Sequence, residues 1–160
     1  MSVDMFLRIK GVEGESVDKV HAKEIDISSW SWGMSQSGTT HVARGGGAGK
    51  VSVQDVTITK LVDKATPNLI KACCNGKHFE EAVITVRKAG EKPLEYIILT
   101  MKDVLVTNVS EGGSGGEDRL SESITLNFAE FSYVYVPQKR DGGPEGKIEA
   151  TFNIATNSEK

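Results

Sequence analysis

"AKEIDISSWSWGMS", Ala22 to Ser35, is an extended segment whose apolar side changes partway along. Ile25 and Ile27 share one parity, while Trp30, Trp32 and Met34 share the other. Side chains on a strand alternate faces with a period of two, so both sets cannot meet one core unless the strand is interrupted. The switch near Ser28 therefore predicts a β-bulge that turns the strand's face. "VSVQDVTITKLV" repeats the device: Val51 and Val53 are odd, Val56 and Ile58 even, with Gln54-Asp55 between them. Bent, bulged strands are what a closed or nearly closed barrel requires.

The rest of the chain agrees with that reading. "DMFLRI" alternates with Met5, Leu7 and Ile9 on one side, and "EAVITVRK", "LEYIILTMKDVLVTNV", "ESITLNFAEFSYVYV" and "KIEATFNI" read as further strands. Turns such as "KAGEKP", "EGGSGGED" and "RDGGPEG" separate them. One segment departs, "TPNLIKACCNG". Thr66 suits a helix N-cap, Pro67 the first helical position and Gly76 the residue past the end. Leu69, Ile70 and Cys73 form one apolar stripe at helical spacing. The expected fold is mainly β, a small two-sheet barrel with one short flanking helix, in a single domain over residues 1–160.

The long strands raise a further point. In "EYIILTMKDVLV", Tyr96, Ile98, Val104 and Val106 fall on one face by parity, and Ile97, Leu99, Met101 and Leu105 on the other. In the next strand Phe128 and Val134 oppose Phe131, Tyr133 and Tyr135. Antiparallel strands of a soluble monomer usually keep one polar face. Two apolar faces call for a cover larger than one short helix, and a neighbouring subunit supplies it.

Composition narrows the function. A net charge of −3 and scattered lysines and arginines provide no basic field for nucleic acid or anionic lipid. No apolar run reaches the length of a membrane-spanning helix, and the N-terminus lacks the basic and apolar regions of a secretory signal. The only cysteines, Cys73 and Cys74, are adjacent and read as small helix-packing thiols of a reducing compartment. His21, His41 and His78 are far apart, show no metal-ligand spacing, and for His21 and His78 read as solvated turn residues beside lysines. No nucleophile elbow is present, and Glu80-Glu81 reads as solvating charge. The chain is expected to be no enzyme and to need no metal or cofactor.

"HVARGGGAGKVSVQ", His41 to Gln54, mimics a phosphate-binding loop. The pattern G-x-x-x-x-G-K-[ST] fails at both ends, where Arg44 replaces the first glycine and Val51 the hydroxyl residue. A β-branched strand follows where a helix is needed. The run is a connector, and its length calls for another explanation.

"SSWSWGMSQSGT", "GGGAGKVSVQD", "TKLVDKATPNL", "GKHFEEAVITVRKAG", "PLEYIILTMKDVLVT" and "GGSGGEDRLSESITLNFAEF" occur in this order. Together they closely resemble the Hcp (haemolysin-coregulated protein) family, inner-tube components of bacterial type VI secretion systems. The resemblance covers nearly the whole chain. It implies a two-sheet barrel with a flanking helix, assembling into homohexameric rings that stack into a tube. A contractile sheath propels that tube, a VgrG-type spike caps it, and small effector proteins are bound inside the ring. It also implies residence in the bacterial cytoplasm before firing and secretion afterwards. The family often ends in a Gly-Trp-Asn-Ile-like strand, where this chain has Ala150-Thr151-Phe152-Asn153-Ile154. An aromatic still precedes Asn-Ile, so the last strand is expected to survive, and no fused toxin domain is expected.

Two sets of residues follow as site candidates. The resemblance makes Gly38, His41, Arg44, Gly45, Gly46, Gly47, Gly49 and Lys50 part of an extended loop reaching an adjacent subunit or ring. Its glycines allow close backbone approach, and Arg44 and Lys50 are placed to pair with acids on the neighbour. The plain alternative is an unpartnered hairpin loop. In "SSWSWG", tryptophans entering the core leave Ser29 and Ser31 on the opposite face, as candidate lumen and effector contacts or as ordinary solvent-facing serines. Rival functions are a phage-type tail tube protein and a monomeric ligand-binding β-barrel.

Overall fold

The structure, a computed structural model, describes residues 2–38 and 50–159. The chain runs β1 (Val3–Ile9), β2 (Ile25–Asp26), β3 (Ser29–Ser31), β4 (Met34–Ser35), β5 (Ser52–Val53), β6 (Val56–Leu61), α1 (Thr66–Asn75), β7 (His78–Lys88), β8 (Leu94–Gly112), β9 (Ser121–Tyr135), β10 (Ile148–Asn153) and β11 (Ser158–Glu159). All pairings between these strands are antiparallel. The mainly β architecture with one helix among the described residues is the expected one.

The segment 22–35 closes the barrel. Its first half, β2, pairs with β1, with Leu7 opposite Ile25. Its second half, β3, pairs with β6, with Trp30 opposite Ile58. The handover occurs at Ile27 and Ser28, whose amides donate to Met5 on β1 (3.1 Å) and Thr59 on β6 (2.8 Å). Since β6 pairs with β9, and β9 leads through β8 and β7 back to β1, the circuit is complete. The parity switch read at Ser28 is thus the point where one strand exchanges partners. The second switch, at Gln54-Asp55, is the junction between the β4–β5 hairpin and β6.

A third switch was not anticipated. Leu99, Met101, Val104 and Val106 are all buried and belong to one core. Asp103, between the two pairs, adopts φ +55°, a left-handed conformation costly for a residue with a Cβ. The change runs across the sheet: Ala82–Met101–Phe131 form one buried row and Phe79–Val104–Phe128 the next. A further irregularity lets β8 carry an extra residue, Thr107, between Val106 and Asn108, which turns Val109 toward Ile124. Much of the apparent second apolar face of β8 and β9 is therefore core of this chain. Over these residues the cover that strand parity called for is supplied by the chain's own core.

Helix α1 forms where the sequence places it, but its start is built differently. Ala65 occupies the N-cap position without a side-chain cap bond, and Thr66 lies inside the helix. Asp63 Oδ1 instead accepts the Ala65 amide at 3.0 Å, and Thr66 Oγ1 accepts the Asp63 amide at 3.0 Å. Gly76 ends the helix at φ +68° as expected. The buried stripe is Thr66, Leu69 and Ala72, while Ile70 stays exposed and Cys73 only half-buried. Both cysteines are free thiols.

Beneath the helix start lies a charged cluster within the core. Lys60 is fully buried, and its Nζ donates to Glu122 Oε1, to Asp63 Oδ1 (2.8 Å) and to Thr66 Oγ1 (3.3 Å). Thr66 also donates to Glu122 Oε1 at 2.7 Å. A buried lysine survives only with such partners, because an unpaired charge there is strongly disfavoured. The cluster ties α1 to β6 and β9.

Candidate assembly surface

The outer face of β3, β6, β9 and β8 carries two rows of small uncharged polar side chains. Register aligns Ser31 with Thr57, Thr125 and Asn108, and Ser29 with Thr59, Ser123 and Ser110. Their sequence neighbours Trp30, Ile58, Ile124 and Val109 turn inward to the core. Ser29 and Ser31 are exposed, and Trp30 and Trp32 are half-buried, so the alternation read in "SSWSWG" holds. Thr57 and Thr125 hydroxyls meet at 3.3 Å, and Asn108 Nδ2 donates to Ser110 Oγ at 3.1 Å. No side chain in these two rows carries a charge. The sequence reading found Ser29 and Ser31 but missed their six partners, which only strand register brings together.

A second surface opens between the β4–β5 hairpin and β10. It is a groove of about 670 Å³ with Trp32, Met34, Val51 and Val53 on one side and Phe131, Tyr133 and Phe152 on the other. Aromatic rings build its floor. Trp32 meets Phe131 edge-on at 4.9 Å and stacks with Tyr133 at 6.2 Å, and Phe131 lies 6.3 Å from Phe152. Such pairs contribute about 0.5–1.5 kcal/mol each beyond the area they bury. Burial, together with the nearby phenols Tyr135 and Tyr96, raises the pKa of the Tyr133 hydroxyl. Phe152 comes from the C-terminal "TFNI" segment, and β10 forms there as expected. The barrel interior is filled by Leu7, Ile25, Ile58 and Leu99, so this groove lies outside the barrel.

The candidate loop lies in sequence between the two strands of that hairpin. Met34 pairs with Val53 and Ser35 with Ser52, so the chain between them leaves from the groove's rim. Gly38 adopts φ +62°, and Lys50 is exposed. His41, Arg44, Gly45, Gly46, Gly47 and Gly49 lie outside the described residues.

Other residues depart from or match their sequence reading. His78 is exposed and pairs with Asp103 at 2.8 Å, whereas His21 is only 7% exposed, against the expectation of a solvated turn. Its Nε2 meets Glu95, 74 residues away, a partner that no local pattern reveals. Glu80 pairs with Lys10 just past the end of β1 (2.6 Å), and Glu81 with Arg8 on β1 (3.2 Å). Among the described residues no group of His, Cys, Asp and Glu is arranged to hold a metal, and no helix is long and apolar enough to cross a membrane.

A barrel with one polar face and an apolar groove beside a hairpin arm has counterparts among known proteins. A family described as "Type VI secretion system effector, Hcp" matches residues 6–135. Protein hcp1 of Pseudomonas aeruginosa is 58% identical over 159 residues, covering 98% of each chain. Among solved structures, a type six secretion system protein superposes with a TM-score of 0.93 at 27% identity, over 99% of this chain and 100% of that one. Hcp1 from Salmonella typhimurium gives 0.83 at 37% identity over the full length of both chains. These matches span nearly the whole chain. The chain belongs to the Hcp family of type VI secretion systems, whose members are structural, secreted proteins and not enzymes.

Proposed function

We propose that this chain, acting as one barrel domain over residues 1–160, is a subunit of the type VI inner tube. Copies close into a homohexameric ring, and rings stack head to tail. A contractile sheath drives the tube outward behind a VgrG-type spike. The protein waits in the cytoplasm and leaves the cell with the tube.

The observation that carries this reading is the apolar groove bounded by the β4–β5 arm. A head-to-tail ring needs one surface on a protomer to receive a different surface of the next. The groove is open and aromatic, and Met34 at its edge is 47% exposed. Tyr135 and Ile148, also exposed, sit opposite one another on β9 and β10 and extend the apolar surface. Gly38, His41, Arg44, Gly45, Gly46, Gly47, Gly49 and Lys50 belong to the arm that would reach the neighbour.

The hydroxyl rows fit a lumen. Small neutral polar side chains remain wetted yet offer little charge or apolar surface to hold a passing polypeptide. In this reading Ser29 and Ser31 face small effectors carried in the channel. Ser31→Gln places a longer amide on that face without disturbing the inward-facing tryptophans. The variant is expected to form rings and to retain less co-purified effector, by tenfold or more for an effector that touches the site, about 1.4 kcal/mol of binding. Unchanged retention with intact rings removes Ser31 from the lumen.

A further inference from the structure

The connection between β1 and β2 is folded back on the barrel by polar contacts. Gly14 and Ser16 amides donate to Lys23 and Glu24 carbonyls at 2.7 and 2.9 Å. Gly14 has no alternative residue here, since an added Cβ would stand 2.4 Å from the Glu24 carbonyl oxygen. The loop covers Phe6, which is 4% exposed although it faces away from Leu7 on β1. Val17 and Val20 on the loop's outer side are 97% and 69% exposed.

Two ionic anchors fix the loop to the strands beneath. In the first, Arg87 on β7 grips Asp18 through both terminal nitrogens, at 2.7 and 3.1 Å, and also holds Asp4 on β1 at 3.0 Å. The Arg87 bond holds the Asp18 carboxyl far below the ordinary carboxylate range, so this anchor persists through neutral and mildly acidic conditions. The second anchor is His21. Its ring stacks on Phe6 at 4.4 Å, Nδ1 lies 2.7 Å from Glu24 Oε2, and Nε2 lies 2.5 Å from Glu95 Oε1 at the start of β8.

Both ring nitrogens therefore face carboxylate oxygens, which accept and never donate while ionised. Only the imidazolium has an N–H for each. The neutral ring has one N–H, and its remaining lone pair points at an oxygen. We propose that His21 is a proton-operated latch: charged, it bridges the β1–β2 loop to β8, and neutral, it releases that bridge while Asp18–Arg87 still holds.

The surrounding charges favour the closed form. The carboxylates of Glu24, Glu95, Asp18, Asp4 and Asp26 surround this part of the fold, with the Arg87 guanidinium 5.1 Å from the Phe6 ring. Lys23 is turned outward to Glu13 at 3.4 Å. Burial alone would lower the His21 pKa, but the bonds to Glu95 and Glu24 outweigh it and raise the value above 6.5. A raised folded value means that the stabilisation is fully present below 6.5 and is lost as pH rises through the folded pKa. Proton loss would thus free the segment that displays Val17 and Val20, without unfolding the barrel.

The test is a titration of the full-length protein labelled with carbon-13 at histidine Cε1, between about pH 5 and about pH 9, spanning the ordinary histidine range. His21→Gln identifies the signal by its disappearance. Hydrogen exchange of the 13–24 peptide, corrected for the intrinsic pH dependence of exchange, is followed over the same range. The His21 midpoint is expected above 6.5, with loop protection falling at that same midpoint. Glu95→Gln, which removes one acceptor charge at a partly exposed position, is expected to lower both midpoints by about one pH unit, tenfold in proton affinity. A wild-type midpoint at or below 6.5 overturns the latch. So does loop protection that ignores the His21 titration, or a Glu95→Gln midpoint equal to the wild type's.

Discussion

Glu122 is the residue on which the helix anchor turns, and only half of its carboxylate is satisfied. Oε1 receives Lys60 and Thr66, while Oε2 is buried with no hydrogen-bond partner among the described residues. Opposite it on β8 stands Glu111. Burial alone would raise the Glu122 pKa, but the bonds from Lys60 and Thr66 bring it below the usual range. The neighbouring Glu122 carboxylate and burial push Glu111 above that range. Glu111 thus contributes stability that is present below 4.5 and lost as pH rises through its raised folded value. Glu111→Gln supplies a permanent N–H toward Glu122 and removes the like charge. Its urea midpoint is expected above wild type at neutral pH, with the gap narrowing below 4.5. A lower midpoint, or a gap independent of pH, contradicts this account. The cluster had a trace in the sequence: Lys60 is in phase with the core residues Val56 and Ile58, and Glu122 with Ile124 and Leu126. His21 left no such trace, because its ligand Glu95 is remote in the chain.

At the scale of elements, the barrel depends on strands that change faces. The switches at Ser28 and at Gln54-Asp55 were legible as apolar positions moving from odd to even. The switch at Lys102-Asp103 carries the same signature, since Met101 and Val104 bracket two polar residues, as Val53 and Val56 do. Phe128 and Phe131 bracket Ala129-Glu130, and Phe79 and Ala82 bracket Glu80-Glu81. Read strand by strand, those gaps look like two apolar faces. Read together, they mark one fold line across three paired strands. The left-handed Asp103 is the conformational cost of that line. Asp103→Val is expected to destabilise the protein by about 1–2 kcal/mol, the penalty of a bulky residue at positive φ, whereas Asp103→Gly removes that strain. Equal urea midpoints for the Val and Gly variants would show that the fold line does not depend on this conformation.

At the scale of the whole molecule, the features above converge on two surfaces with different chemistry. Rows of hydroxyl and amide side chains cover the face of β3, β6, β9 and β8, while an aromatic groove opens beside the hairpin arm. Fold class, the helix and the alternation of Ser29 and Ser31 with the tryptophans were readable in one sequence, because each is written in local periodicity. The groove was not, because Trp32, Tyr133 and Phe152 meet only through tertiary structure. In the proposed tube subunit, a ring would use both surfaces together. The most direct test is negative-stain electron microscopy of the purified protein. Six-fold rings with an open centre are the predicted result. Discrete compact monomers at high concentration would contradict the tube-subunit account and leave the groove without its neighbour.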